Sequence, residues 1–150
     1  MKEFGDQRIA AGERCLVVDL GDCSGMDSTF MGTLAGMAAR LSAHETASLQ
    51  IADANSRNRR SLEDLGLDFM MEIDPPEARW RGDMDRIRED LKRQSSPAIP
   101  TSLQRAKHVL VAHQELAANN DKNAETFANV VAVLEGELKE KQKDSGPSPD

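Results

Sequence analysis

Cys15-Leu16-Val17-Val18-Asp19-Leu20-Gly21-Asp22-Cys23-Ser24-Gly25-Met26-Asp27-Ser28-Thr29-Phe30-Met31-Gly32 reads as strand, loop and helix in turn. The opening run from Cys15 to Leu20 is apolar, valine-containing and bounded by turn residues. Such a run predicts a strand buried on both faces, as in a parallel sheet. Gly21 to Gly25 is rich in turn formers and predicts a loop. Asp27 then stands where a carboxylate accepts from the free N–H groups of a first helical turn. Met31, Leu34, Ala38 and Leu41 recur at i, i+3, i+7 and i+10, which gives the helix one buried stripe. Gly32, Ala35, Gly36 and Ala39 are small and allow close packing against a sheet.

On the N-terminal side, Phe4, Arg8 and Ile9 fit helical spacing, and Gly12 is a suitable C-cap. On the C-terminal side, Leu49 to Asp53 predicts a second strand. Asn55 or Ser56 starts a basic helix that runs through Leu65, with Gly66 as its stop. Phe69 to Ile73 predicts a third strand, ended by Asp74-Pro75-Pro76. Residues 1–73 thus alternate α-β-α-β-α-β, the order of a parallel sheet with helical crossovers, an α/β fold.

The remainder has a different character. Met84, Ile87 and Leu91 predict a short amphipathic helix, and 94–101 a linker with two prolines. Leu103, Ala106, Leu110, His113 and Ala117 line one helical face, with Val109 and Leu116 beside it. Phe127, Val130, Val131, Leu134 and Leu138 line another. The polar Asn119-Asn120-Asp121 between them predicts an αα-hairpin. The linker favours a hairpin that moves separately and serves for docking or self-association. Residues 144–150 read as a solvated tail.

The 150 residues suffice for one domain with an appended helical piece. With 3% aromatics and no Tyr, the core must come from Leu, Val, Ile, Met and Ala. A net charge of −7 gives no general attraction to nucleic acid or to an anionic membrane. No apolar run approaches the roughly 20 residues that cross a bilayer. The first residues do not form a basic-then-apolar leader, and Cys15 and Cys23 form no CxxC pair. Both features point to reduced thiols in the cytoplasm.

Chemistry concentrates in Asp19 to Gly32. Sites in open α/β sheets gather at strand carboxyl ends, and a helix N-terminus offers free N–H donors and a positive dipole end. A phosphate on Ser28 or Thr29 adds about 1.5–2 negative charges, which that end tolerates. Asp-Ser-Thr is equally ordinary helix-capping chemistry. Elsewhere the signals are weaker. His108 and His113 are five apart, not the four that aligns two ligands on one helical face, and His44 lies in another segment. His113 on its apolar stripe reads as a packed helical residue. Arg57, Arg59 and Arg60 read as a solvated face, or as a contact for phosphate or an acidic partner. Met70-Met71 reads as strand core. No GxxxxGK[ST], HExxH or GxSxG motif is present, and no nucleophile–base pair is visible. No cofactor, no metal site and no enzymatic activity are expected.

Val17-Val18-Asp19-Leu20 followed by Met26-Asp27-Ser28-Thr29-Phe30-Met31-Gly32 resembles the STAS, or anti-sigma-factor antagonist, family, with its buried strand, Asp-Ser-(Ser/Thr)-Gly-Leu-Gly turn and helix. Leu49 to Ala54 resembles the family's next strand, and Arg59 to Leu67 its following helix. The resemblance covers 1–74 as a STAS-like domain. Helix and linker follow at 75–100, the hairpin at 101–143 and the tail at 144–150. It implies a non-enzymatic signalling module that acts by protein–protein binding. Its partners would be an anti-sigma factor that is also a serine/threonine kinase, and a PP2C-type phosphatase. Ser28 and Thr29 become the phosphoacceptor candidates, with the motif alignment pointing to Thr29. Asp27, Phe30, Met31 and Gly32 become partner-binding candidates. Phe30 and Met31 depart from the family's Gly-Leu. The family's first two strands should precede residue 1, so the resemblance also implies an exposed sheet edge and self-association.

Overall fold

The computed structural model describes residues 1–93 and 99–144. Among these, three strands and six α-helices form an α/β unit with a helical hairpin at its C-terminal end. Helix α1 spans Lys2–Ala10. Gly12, with φ of 94°, ends it. Gly12 N–H donates to Ile9 and Glu13 N–H to Arg8, so two of the orphan carbonyls are satisfied by a left-handed turn that only glycine enters cheaply. Strand β1 is Cys15–Asp19, α2 is Ser28–Ser42, β2 is Ser48–Ala52, α3 is Ser56–Asp64 and β3 is Glu72–Ile73. Two short 3₁₀ turns, Leu67–Phe69 and Arg79–Asp83, flank β3. Helix α4 covers Met84–Lys92, α5 Ser102–Asn119 and α6 Asp121–Asp144.

The sheet is parallel, in the order β1-β2-β3, with Leu16 beside Leu49, Val18 beside Ile51 and Ile51 beside Ile73. The alternating α-β reading of 1–73 therefore holds. Two details differ. β1 is an edge strand, not one buried on both faces: Leu16 and Val18 face the core, while Cys15, Val17 and Asp19 are exposed. The third strand is only two residues long. After Gly66 turns left-handed, Leu67 to Phe69 wind into the 3₁₀ turn and Phe69 is left 91% exposed. Of the expected strand residues before Glu72, only Met71 is buried. An apolar run without alternation could not distinguish the two conformations.

The core lies between the sheet and α2. Leu34, Met37, Ala38 and Leu41 of α2 meet Leu49 and Ile51 of β2, with Ile9, Leu20, Leu62, Leu67 and Met71 closing the edges. On the opposite side of the sheet, Trp80 Nε1–H donates to Gln50 Oε1 at 2.7 Å and Met84 is buried.

The C-terminal hairpin is present, with Thr101 and Gln104 forming a reciprocal capping box at the start of α5. It does not stand apart as expected. Leu116 is fully buried within the same core, and Phe127 packs against that core. Burying one leucine stabilises by about 1.5–3 kcal/mol. Asn119 and Asn123 Nδ2 donate to the Leu65 carbonyl at 2.8 and 2.9 Å, so the hairpin's turn caps the end of α3. Small residues in α2 explain the docking: an added Cβ on Gly32 would lie 2.0 Å from the Ala112 carbonyl oxygen, so the two helices touch through backbone. Most of the expected linker, 94–98, lies outside the described residues, as does the expected tail beyond Asp144.

Candidate functional site

The segment from Asp19 to Gly32 is built as the sequence predicts. β1 ends at Asp19, whose carboxylate accepts from Gly21 N–H at 2.9 Å and starts the turn. Leu20 is buried and its N–H donates to Ala52. The loop is then held from α3. Asn55 and Asn58 Nδ2 both donate to the Cys23 carbonyl, at 3.0 and 2.7 Å. Asn55 also caps α3 by accepting from Asn58 N–H. Asp27 caps α2, accepting from Phe30 N–H at 2.7 Å. This leaves Ser28 and Thr29 on the first turn of α2, above the carboxyl end of β1.

Arg88, from α4, closes the strand ends. Its guanidinium forks onto both oxygens of Asp19, at 2.7 and 2.8 Å, and also meets Asp53. The hydrogen bond from Arg88 lowers the Asp19 pKa by more than burial raises it, and the bond from Gly21 N–H adds a smaller lowering. The same two carboxylates raise the Arg88 pKa. Asp74, at the end of β3, accepts from Asp53 N–H at 2.6 Å and from Arg59 at 2.8 Å. Arg59 thus has a structural partner, whereas Arg57 lies beside Gly25 of the loop.

The two hydroxyl candidates have different surroundings. Ser28 Oγ lies 2.9 Å from His113 Nε2 of α5. His113 Nδ1 lies 2.8 Å from the Val109 carbonyl, which only accepts. The Val109 contact places a proton on Nδ1, so the tautomer it selects presents Nε2 as an acceptor to the Ser28 hydroxyl. Thr29 is half-buried; its carbonyl accepts from Thr33 Oγ1 at 2.7 Å, and its own hydroxyl makes no hydrogen bond among the described residues. Thr33 Oγ1, with its proton so used, accepts from His108 Nε2–H at 2.8 Å. Burial lowers the His108 pKa, aided by Lys2 and the N-terminal ammonium, against a smaller opposing effect from Asp6.

Of the remaining motif residues, Phe30 and Met31 are half-buried and pack against the core, and Gly32 is buried under α5. The Ser28–His113 pairing joins a hydroxyl to a base, an arrangement invisible in the sequence because the two residues lie 85 positions apart. The regular helical face that predicts His113 as a packed residue is correct, for it is 6% exposed. What it faces required the fold. Chemically the pair can hold and polarise the hydroxyl of Ser28. Comparison with protein-family models, with curated proteins and with solved structures gave no match to this chain.

Proposed function

We propose that this chain is a signalling module of the anti-sigma-factor antagonist kind, switched by phosphorylation on Ser28 or Thr29 and acting by protein–protein binding. One observation carries the reading. Asp27 caps α2 through Phe30 N–H, which sets two adjacent hydroxyl residues on a first helical turn at the carboxyl end of a parallel strand. The residue order there resembles the STAS motif. A phosphate on that turn is favoured by the helix dipole by only about 0.3–1 kcal/mol, so it leaves the helix intact. Its charge acts on a partner, which it repels wherever the interface presents carboxylates or requires desolvation. The partners on this reading are an anti-sigma factor that doubles as a serine/threonine kinase, and a PP2C-type phosphatase, all in the cytoplasm. Phe30 and Met31 stand in for the family's Gly-Leu and adjust the fit to that kinase.

The test is a pull-down with a bacterial anti-sigma-factor kinase, using wild type, Thr29→Ala, Thr29→Asp, Ser28→Ala and Ser28→Asp, together with mass-spectrometric mapping after incubation with kinase and ATP. The acidic variants should bind at least tenfold more weakly than the alanine variants, and phosphate should map within 24–33. Equal binding by all five proteins, or phosphate only outside that window, overturns the reading.

A second reading, a STAS-like assembly module without phosphorylation, is favoured by one specific contact. The Ser28 hydroxyl is already engaged by His113. In that case no phosphate is incorporated, and binding partners are indifferent to acidic substitution at both positions.

A further inference from the structure

The geometry points to a latch: a phosphate on Ser28 releases the α5–α6 hairpin from α2, so that the modification changes this chain's own shape before any partner is involved. The inference rests on the phosphorylation reading above and adds an intramolecular consequence to it.

The contact is small and closely fitted. Ser28 Oγ and His113 Nε2 are 2.9 Å apart. Four residues further along α2, Gly32 meets the Ala112 backbone so closely that a methyl group would overlap it. His113 is fixed in turn by its bond to Val109 and by an edge-on contact with the Phe127 ring of α6, with centroids 5.8 Å apart. The latch therefore couples the motif to both hairpin helices. A second hydroxyl–imidazole pair, Thr33 with His108, lies along the same α2–α5 seam and makes no use of Ser28.

In the transfer, the Ser28 oxygen forms a bond to the γ-phosphorus of a nucleoside triphosphate held by the kinase. The bond to the bridging oxygen breaks, its electron pair leaves with the nucleoside diphosphate, and the hydroxyl proton passes to a general base of the kinase. The product lacks the hydrogen that His113 Nε2 accepted. A phosphoryl group does not fit in the 2.9 Å between Ser28 Oγ and His113 Nε2. Either Ser28 rotates outward and leaves His113 buried without its donor, or α5 moves away. Both outcomes weaken the docking of the hairpin. Thr29, whose hydroxyl has no bond to α5 among the described residues, does not work the latch.

Amide hydrogen exchange on the full-length chain tests this without a kinase. Ser28→Glu should accelerate exchange in 102–119 by about tenfold, the factor expected for stranding one buried acceptor, and by clearly more than in 48–64. Thr29→Glu should leave 102–119 within about twofold of wild type. Unchanged rates in Ser28→Glu, or equal acceleration by Thr29→Glu, overturn the proposal. Should Ser28→Glu accelerate exchange throughout the chain, Ser28→Ala decides: acceleration confined to 102–144 upholds the latch, and uniform or absent acceleration refutes it. A failure here leaves the kinase-binding reading standing, and a failed pull-down leaves these exchange rates equally readable.

Discussion

Ser28 and His113 lie 85 positions apart and are joined by a 2.9 Å hydrogen bond, so the first turn of α2 and the middle of α5 share a polar contact, one of two hydroxyl–imidazole pairs along that seam. The serine belongs to the stretch that resembles a signalling motif; the histidine belongs to a hairpin that the resemblance does not reach. Replacing His113 with Ala should remove the bond and the edge contact with Phe127 together. The expected loss is about 1–3 kcal/mol, combining a half-buried hydroxyl left without its partner and a lost aromatic contact. Urea unfolding measures it, and a midpoint equal to wild type would show that the contact contributes nothing.

Two glycines in helices should respond in opposite directions to alanine. Gly32→Ala drives a methyl group into the Ala112 carbonyl, which is backbone and cannot yield by rotamer change. It should cost about 3 kcal/mol or more, at or above the upper end of ordinary overpacking. Gly136, in α6, has nothing within 4 Å of its added Cβ. Gly136→Ala should instead stabilise by about 0.5–1 kcal/mol through helix propensity. Thermal unfolding of the two variants beside wild type would show midpoints displaced to opposite sides.

The Asp19 carboxyl should titrate below its ordinary value of 3.8 because Arg88 donates to it. Arg88→Met should bring the titration back upward, as read by carboxyl-detected NMR. The sign for stability follows from a depressed folded value: this carboxylate's contribution is complete above 3.8 and is lost as pH falls through its folded value. In Arg88→Met that acid-side loss should shrink. A titration unmoved by the substitution would show that the fork is not what holds Asp19 ionised.

His108 makes a separate prediction nearer neutrality. Its folded pKa is below the ordinary 6.5, chiefly because the ring is withdrawn from water. The folded state therefore resists protonation more than the unfolded state does. Its contribution is complete above 6.5 and declines as pH falls below that value toward the folded one. Lys2 and the N-terminal ammonium face the ring on the same side of the balance, and Asp6 opposes them. His108→Gln keeps a donor for Thr33 and carries no titration, so it should flatten the stability profile just below 6.5. An equally steep profile in the variant would assign that slope to other groups.

The parts legible in the sequence are those fixed by near neighbours. Asp27 announces the start of α2 because its partner is three residues away, and Gly12 announces the end of α1 because its φ is positive. The Leu49 to Asp53 stretch announces a second strand, and its apolar Leu49 and Ile51 are among the residues the fold buries. β1 misled because Val17 is apolar yet lies on the exposed side of an edge strand. Phe69 misled because a large apolar residue does not have to be buried, and here it is almost wholly exposed. The candidate site divides along the same line. Ser28 and Thr29 on a first helical turn could be read from Asp27 alone. Arg88 on Asp19, His108 on Thr33 and His113 on Ser28 join residues 69, 75 and 85 positions apart, and no periodicity encodes such pairings.

The backbone contact between Gly32 and Ala112 also sets a timetable for synthesis. A ribosome adding roughly 5–20 residues per second makes Gly32 roughly 4–16 seconds before it makes Ala112. Throughout that interval, a nascent α2 that has settled on its sheet still has its other flank bare, a smooth strip of glycine and alanine with no roof. The last third of the chain arrives as the keystone for the first, and Leu116 then enters a cavity whose walls were completed much earlier. Messages cut short before the α5 codons would yield chains whose fold is begun but never closed, and such chains are natural clients of chaperones and proteases.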